Sequence, residues 1–324
     1  MRKIRLGRTN TDVPAVSLGT WGHGGPRVTE TGESVGWGGH DDGEAKAAIV
    51  EAYRNGITHW DTADGYGDGH SELLIGELWS EVPREEIFLA TKFGYIQGPA
   101  SHPYDPKFMR EQAERSLSNM RTDVLDLYYF HHCDFGPNDE YLDGAIDVMR
   151  RLRDEGKVRF IGLSDWDASR IMRVIERVDP DVVQPYRNLV DDDYESSGLK
   201  QYVDTHDPGV AFFSPLKHGL LLGKYAQPVH YGEGDFRSGV EDFRNPEAIE
   251  RYKCAAAAVR QRFAAHPEPV LHAVVGALLT GNDTACVLLG QRNPRQVAAA
   301  AAVGEALSRG DAEWVRAQYQ YGVR

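Results

Sequence analysis

Cysteine is scarce in this chain: three residues in 324, Cys133, Cys254 and Cys286, far apart and with no C-x-x-C pair. That fits a reducing cytoplasm better than a disulfide-stapled secreted fold or a structural zinc site. No apolar run approaches the roughly 18–20 residues that span a bilayer. The basic start, Met1-Arg2-Lys3, is followed by no apolar stretch, so a secretory signal is not expected. Positive charge is also in deficit, with 36 Lys and Arg against 49 Asp and Glu, a net charge of −13. A nucleic-acid binder, whose affinity comes from neutralising phosphates, is not expected with that balance. Both G-x-G-x-x-G after a strand and G-x-x-x-x-G-K-[ST] are missing, so the phosphate signatures of a doubly wound sheet are absent. What is present, 41% hydrophobic and 26% charged residues, is the ordinary mixture of a globular protein with an ample core. The expectation is a cytoplasmic protein whose partner is a small molecule, neither nucleic acid nor membrane.

Short β-branched or aromatic runs alternate with stretches of helical period along the whole chain. Eight runs read as strands: Val16–Leu18, Thr58–Asp61, Ile87–Thr91, Leu125–Phe130, Arg159–Leu163, Val182–Gln184, Val210–Ser214 and Val287–Leu289. Between and after them, helices are expected over Glu44–Asn55, Ser71–Ser80, Pro106–Asn119, Tyr141–Glu155, Ala168–Arg177, Leu199–Thr205, Ala248–Ala265, Val270–Leu279 and Pro294–Leu307. Eight strand–helix pairs predict an α/β fold of the (β/α)8 TIM-barrel kind, one domain over residues 1–324. Ile4–Leu6 and Val13–Ala15 flank Gly7-Arg8-Thr9-Asn10 and predict an N-terminal β-hairpin that plugs the barrel's N-terminal mouth. Two long connections, from Gly22 to Gly43 and from about Gly219 to Pro246, follow strands. Both therefore emerge on the C-terminal face, where barrels of this kind keep their sites.

The chemistry sits at strand ends. The second strand ends in Asp61 and leads to Tyr66, the third ends in Thr91-Lys92, the fourth in His131-His132 and the fifth in Ser164-Asp165. Three neighbouring strands ending in Asp61, Lys92 and His131 bring those groups to one rim. Asp61 can supply the counter-charge a buried ammonium needs. The ammonium is expected to lower the Tyr66 pKa towards the working range, so that the phenol can give a proton to a carbonyl oxygen and take it back. An imidazole alongside can orient the same oxygen. Each group also has a structural reading: an ion pair for Asp61 and Lys92, a satisfied strand-end histidine, a packing aromatic for Tyr66. The His131-His132 pair is poorly placed to share a metal, because adjacent strand residues point to opposite faces, and neither H-x-H nor H-E-x-x-H occurs. No catalytic metal is expected, which disfavours a metal-dependent barrel hydrolase.

These residues resemble the aldo-keto reductase superfamily. Trp60-Asp61-Thr62-Ala63-Asp64-Gly65-Tyr66-Gly67 with Gly69-His70-Ser71-Glu72, Leu125–His131, Gly156–Ser164, Phe213-Ser214-Pro215-Leu216 with Gly223-Lys224-Tyr225, and Gly290–Gln296 are similar to its motifs, in order, from Leu18 to Gln296. The resemblance implies an NADP(H)-dependent oxidoreductase interconverting an aldehyde, ketone or sugar and its alcohol. By position it makes Tyr66 the general acid, Lys92 its partner, Asp61 the anchor of Lys92 and His131 the residue that orients the carbonyl. For the cofactor it implies Thr20, Trp21 and Asp61 beside the nicotinamide ribose, and Ser164, Asp165 and Gln184 at the carboxamide. Phe213 would stack on the ring, Ser214, Leu216, Lys224 and Arg237 would surround the pyrophosphate, and Gly290, Arg292 and Gln296 would hold the adenosine end. Arg292 suits a 2′-phosphate.

Trp21, Trp37, Tyr95, His132 and Trp166 follow strands and would wall the substrate pocket with Tyr66 and His131, a mixture suited to a sugar-like molecule. The chain departs from the family pattern in three places. Asp165 stands where an Asn is usual, and an ionised Asp accepts hydrogen bonds but donates none. His132 stands where Trp is common. Ala299 and Ala300 replace adenine-contacting side chains, which leaves NAD(H) open beside NADP(H). Potassium-channel β-subunits share such a barrel, so a redox-sensing, cofactor-binding partner protein with little turnover is the alternative. Physiological substrate, direction and oligomeric state are not legible in the sequence.

Overall fold

The computed structural model describes residues 1–29, 31–96 and 98–321, so the last three residues of the unit expected over 1–324 lie outside the described part. Strands β1 (Lys3–Arg5) and β2 (Asp12–Pro14) pair antiparallel as a separate hairpin. The other eight strands are β3 (Val16–Gly19), β4 (His59–Asp61), β5 (Phe88–Phe93), β6 (Leu125–Phe130), β7 (Val158–Asp165), β8 (Val182–Pro185), β9 (Gly209–Phe212) and β10 (Ala285–Gly290). They are all parallel and close in the order β10-β3-β4-β5-β6-β7-β8-β9. This is the barrel with an N-terminal hairpin read from the sequence. Every residue of β5 and β6 is buried, as expected of strands with side chains inside the barrel on one face and helices over the other.

The hairpin covers the N-terminal mouth. Gly7 bridges to Pro208 just before β9, and the Arg8 N–H donates to the Asp207 carbonyl at 2.6 Å. Ile4, Leu6 and Val13 are buried there, and their burial supplies the driving force for docking a piece of sheet too small to stand alone.

Among the described residues, ten α-helices follow the strands or extend their connections: α1 (Asp42–Arg54), α2 (His70–Gly76), α3 (Pro106–Asn119), α4 (Leu142–Asp154), α5 (Ala168–Val178), α6 (Leu199–His206), α7 (Pro246–Arg262), α8 (Pro269–Leu279), α9 (Pro294–Ala301) and α10 (Arg309–Tyr321). Their starts follow local chemistry. The side chains of Asp41, Asp105, Asp167, Asn245 and Asn293 accept from N–H groups of the first turn, and proline opens α3, α7, α8 and α9.

The last expected helix differs. It ends at Ala301, not Leu307, and the chain turns at Gly304, whose φ of 127° a side chain would resist. It then forms α10, which the sequence reading missed. The signal was there: Ala312, Val315 and Tyr319 recur at helical spacing and are buried, and the Ser308 hydroxyl accepts from the Asp311 N–H. Tyr319 Oη donates to the Leu221 carbonyl at 2.7 Å, so α10 braces the loop after β9. Among the described residues no helix is long and apolar enough to cross a membrane.

Candidate active site

The barrel register brings Asp61 from β4 and Lys92 from β5 to the C-terminal rim, both at most 2% exposed. Lys92 Nζ donates to Asp61 Oδ1 at 2.5 Å and to the Thr62 carbonyl at 2.7 Å, and Gln184 of β8 donates to Asp61 Oδ2 at 2.8 Å. Both carboxylate oxygens are therefore used, as a buried charge requires. Tyr66 arrives from the loop after β4, with its hydroxyl 3.3 Å from Lys92 Nζ. Glycine makes that loop possible: Gly67 has a φ of 65°, and a Cβ there would overlap the Gly24 carbonyl. His131 follows β6, tied by its N–H to the Phe93 carbonyl, with its ring centroid 5.7 Å from that of Tyr66. Its Nδ1 is buried and makes no hydrogen bond. The four side chains expected to meet at one rim do meet there.

Their electrostatics correct one expectation. Burial pushes the Tyr66 phenol well above its ordinary value, and the carboxylates of Asp61 and Asp64 add to the rise. The phenol is a proton donor throughout the neutral range, not one poised to ionise. Burial raises Asp61 and lowers Lys92, each charge propping up the other. His131 is held well below its ordinary value by burial, then by the Lys92 ammonium, so its imidazole is neutral.

A second carboxyl lies behind the first. Asp64 is buried, with Gln112 donating to Oδ2 at 3.2 Å and Oδ1 unpaired. Burial and the nearby Glu72 push it up to about 8. A folded-state value raised this far means that the folded chain holds an extra proton between about pH 4 and 8, so stability falls as pH rises through that window. The slope from one such group is at most about 1.4 kcal/mol per pH unit. We expect Asp64→Asn to flatten the decline of unfolding free energy between pH 5 and 8, measured by urea titration at several pH values; an unchanged profile would remove Asp64 from this role.

A groove of about 690 Å³ runs from Asp61 and Tyr66 to Gln296 and Ala300. Thr20, Trp21, Gln184, Phe213, Ser214, Leu216, Lys224, Arg237, Gly290, Arg292 and Gln296 all line it. Ser164 and Asp165 do not. Ser164 Oγ donates to the Gln184 carbonyl at 2.9 Å, while the two oxygens of Asp165 accept from the N–H groups of Cys133 at 2.7 Å and Asp167 at 3.0 Å. A carboxylate offers those two acceptors at once, so the Asp in place of Asn pins two loops with both of its oxygens. Ser214, Lys217 and His218 all have φ between 47° and 59°, a run of left-handed non-glycine residues beside the groove. Each costs on the order of 1 kcal/mol, and such strain collects at functional sites.

The expected pocket walls divide. Trp21 and Trp37 lie 5.3 Å apart, and Trp166 packs on Trp21 and Phe213. Tyr95 lies 4.5 Å from His131. His132 does not present a polar wall: its Nε2 bonds the Gly94 carbonyl at 2.8 Å and its Nδ1 accepts from the Asp134 N–H at 3.2 Å. It fastens the loop that carries His131. Sequence reasoning missed His218 and Phe236, which complete the aromatic basket around Trp21, because both come from the long loop after β9, where no periodicity announces a side chain's direction. Burial lowers His218 to about 4, so it too is neutral. Arg260 and Arg295, on α7 and α9, also line the groove and went unnoticed for the same lack of a local signal.

The two long loops are laced together over the groove. Gly36 N–H donates to the Gly234 carbonyl at 3.1 Å, Phe236 N–H to Gly36 at 2.9 Å, and Gly38 N–H to Asp235 Oδ2 at 2.9 Å. Arg237 is engaged in a two-point contact with Asp235 and stacks over Trp37 and Tyr231. It borders the groove as expected, but its charge is already matched. Arg292 Nη2 donates to the carbonyls of Gly38 and Gly39, closing the far end of the same loop.

Comparisons agree with this geometry. The model of the Aldo/keto reductase family matches residues 15–315. The NADH-specific methylglyoxal reductase of Escherichia coli is 30% identical over 236 residues, which are 69% of this chain and 70% of that protein. The aldo-keto reductase yakc [NADP(+)] of Schizosaccharomyces pombe is 31% identical over 238 residues, 70% of this chain and 65% of that protein. The solved glycerol dehydrogenase of Gluconobacter oxydans superposes with a TM-score of 0.80 at 26% identity, over 99% of this chain and 97% of that one.

Proposed function

The chain belongs to the aldo/keto reductase family, an oxidoreductase family that uses nicotinamide cofactors, and from that premise we propose that it interconverts a small carbonyl compound and its alcohol with NADP(H). The observation that carries this reading is the Tyr66 hydroxyl, 3.3 Å from a buried ammonium and next to a neutral imidazole, at the head of a long groove. The groove residues fit a dinucleotide. In a chain of net charge −13, Lys224, Arg260, Arg292 and Arg295 gather along it, which is the donor set an anionic ligand selects. Gly290 leaves open space where a side chain would stand.

When bound, the nicotinamide supplies or accepts the hydride. The protein does the rest. Phe213 offers a flat apolar surface at the reacting end, and Gln184, held by Asp61, presents its amide. Tyr66 gives its proton to the carbonyl oxygen as charge develops there, and the Lys92 ammonium stabilises the phenolate left behind. Asp61 keeps that ammonium in place. His131, neutral and with its ring beside that of Tyr66, orients the carbonyl oxygen. In the alcohol direction the same groups run in reverse.

The aromatic basket with neutral His218 at its edge suits a small hydroxylated carbonyl or its polyol. The similarity to a methylglyoxal reductase and a glycerol dehydrogenase supports that class. The free thiols, two of them buried, suit a reducing compartment, and we place the activity in the cytoplasm.

The test is turnover: purified protein, NADPH or NADH, and a panel of small aldehydes, ketones and polyols in both directions. Tight cofactor binding with negligible turnover on the whole panel would overturn the enzymatic reading in favour of a sensing role. For the cofactor, Arg292→Ala should raise the NADPH KM by about tenfold or more and the NADH KM much less, because a charged hydrogen bond to the 2′-phosphate is worth roughly 1.5–3 kcal/mol. An unchanged ratio of the two KM values would remove Arg292 from that position.

A further inference from the structure

Outside the groove, the described residues bring together a cluster of side chains that could hold a metal ion. His40 stands near the end of the first long loop, Asp42 opens α1, and His70 opens α2. His70 Nε2 lies 2.8 Å from Asp42 Oδ1, His40 Nε2 lies 3.8 Å from the same oxygen, and the three ligating atoms are within 4.8 Å of one another. The two rings meet edge to face with centroids 6.0 Å apart. Gly25 leaves room for this: a Cβ there would lie 2.7 Å from His40 Cε1.

Ion pairing accounts for only part of the arrangement. The His70–Asp42 contact is a complete hydrogen bond, whereas His40 at 3.8 Å adds none. Two imidazoles converging on one carboxylate oxygen are instead a donor set that zinc and its first-row neighbours take. Around zinc, with bonds of about 2.0–2.1 Å, tetrahedral ligands sit ~3.3 Å apart. The separations here bracket that value, and His40, exposed at the surface, can close the difference by a change of rotamer. The opposing groups are weak: the Lys46 ammonium is engaged by Glu77 at 2.5 Å, and the N-terminus of α1 is already capped by Asp41.

We propose that His40, Asp42 and His70 bind one divalent transition-metal ion of the zinc class, with the remaining positions open to water. Such an ion ties the first long loop to the start of α2. The same loop holds Arg292 through Gly38 and Gly39 and carries Trp37, so the ion stiffens the far wall of the groove. That consequence rests on the groove being the cofactor site; the binding of the ion does not.

The experiment titrates untagged, chelator-stripped protein with Co²⁺, following visible absorption, and then displaces it with Zn²⁺. One equivalent should saturate the signal. His40→Ala and His70→Ala should each weaken binding at least about tenfold, with circular dichroism unchanged. His266→Ala, at the other close imidazole pair, with His272, should leave the titration as it was. No saturable binding up to the millimolar range, or a titration that His70→Ala does not alter, would overturn the site. A protein inactive on every carbonyl would leave this titration untouched, so the two readings fail separately.

Discussion

Tyr66→Phe is expected to lower kcat by about two to four orders of magnitude, the usual contribution of a positioned general acid. Fluorescence quenching by NADPH should be nearly unchanged. The two readouts separate because the hydroxyl faces Lys92 at the head of the groove, while the cationic residues that suit the cofactor lie along its length. Phe keeps the ring that stacks 6.2 Å from Trp21, so the wall survives. What is lost is a proton that burial holds on the phenol across the neutral range. Reduction should consequently show no fall in kcat attributable to Tyr66 ionisation between pH 6 and 9. A variant that kept more than a tenth of wild-type kcat would remove Tyr66 from the general-acid role.

Lys92→Met should have two effects at once, because one ammonium serves two partners. Losing the cation beside Tyr66 leaves the nascent phenolate uncompensated, so kcat should fall at least as far as in Tyr66→Phe. Losing the counter-charge of Asp61 leaves a buried carboxylate with only Gln184 donating to it. Breaking such a pair costs about 3–5 kcal/mol, and the lower end is expected, since burial already raises Asp61 and lets it take up a proton. Urea unfolding measures this directly. Adding Asp61→Asn should recover part of the stability and none of the activity, since the carboxylate no longer needs a partner but the cation is still missing. Equal recovery of both would make Lys92 a structural residue only.

The fold was legible because its signals are local. Each barrel strand is a short apolar run bounded by turn residues, and the starts of α1, α3, α5, α7, α8 and α9 carry an Asp or Asn cap or a proline, so all eight barrel strands and the hairpin could be placed before any contact was known. Asp61, Lys92 and His131 were legible for a related reason: a lone ionisable residue at the end of an apolar strand must sit at the rim, and Tyr66 follows a few residues after one of them. Where the signal is not local, the reading ran short. Helix α10 was missed behind an Ala-rich stretch that reads as continuous until Gly304 turns the chain. His218, Phe236, Arg260 and Arg295 were missed because a long loop or an exposed helix face gives no sign of what it leans over.

The sequence by itself determined the barrel, the hairpin and the four residues at the rim, since strand alternation and strand-end position follow from the chain's own periodicity. Only the tertiary structure decided the charges and the allegiances. It holds the Tyr66 proton in place, through burial and the carboxylates of Asp61 and Asp64. It commits Asp165 and His132 to fastening loops, and it brings His40, Asp42 and His70 within reach of one ion. A residue's pKa and its partners depend on what surrounds it in three dimensions, and several of those neighbours, Asp42 for His70, Cys133 for Asp165 and Gly94 for His132, are 28 to 38 positions away in the chain.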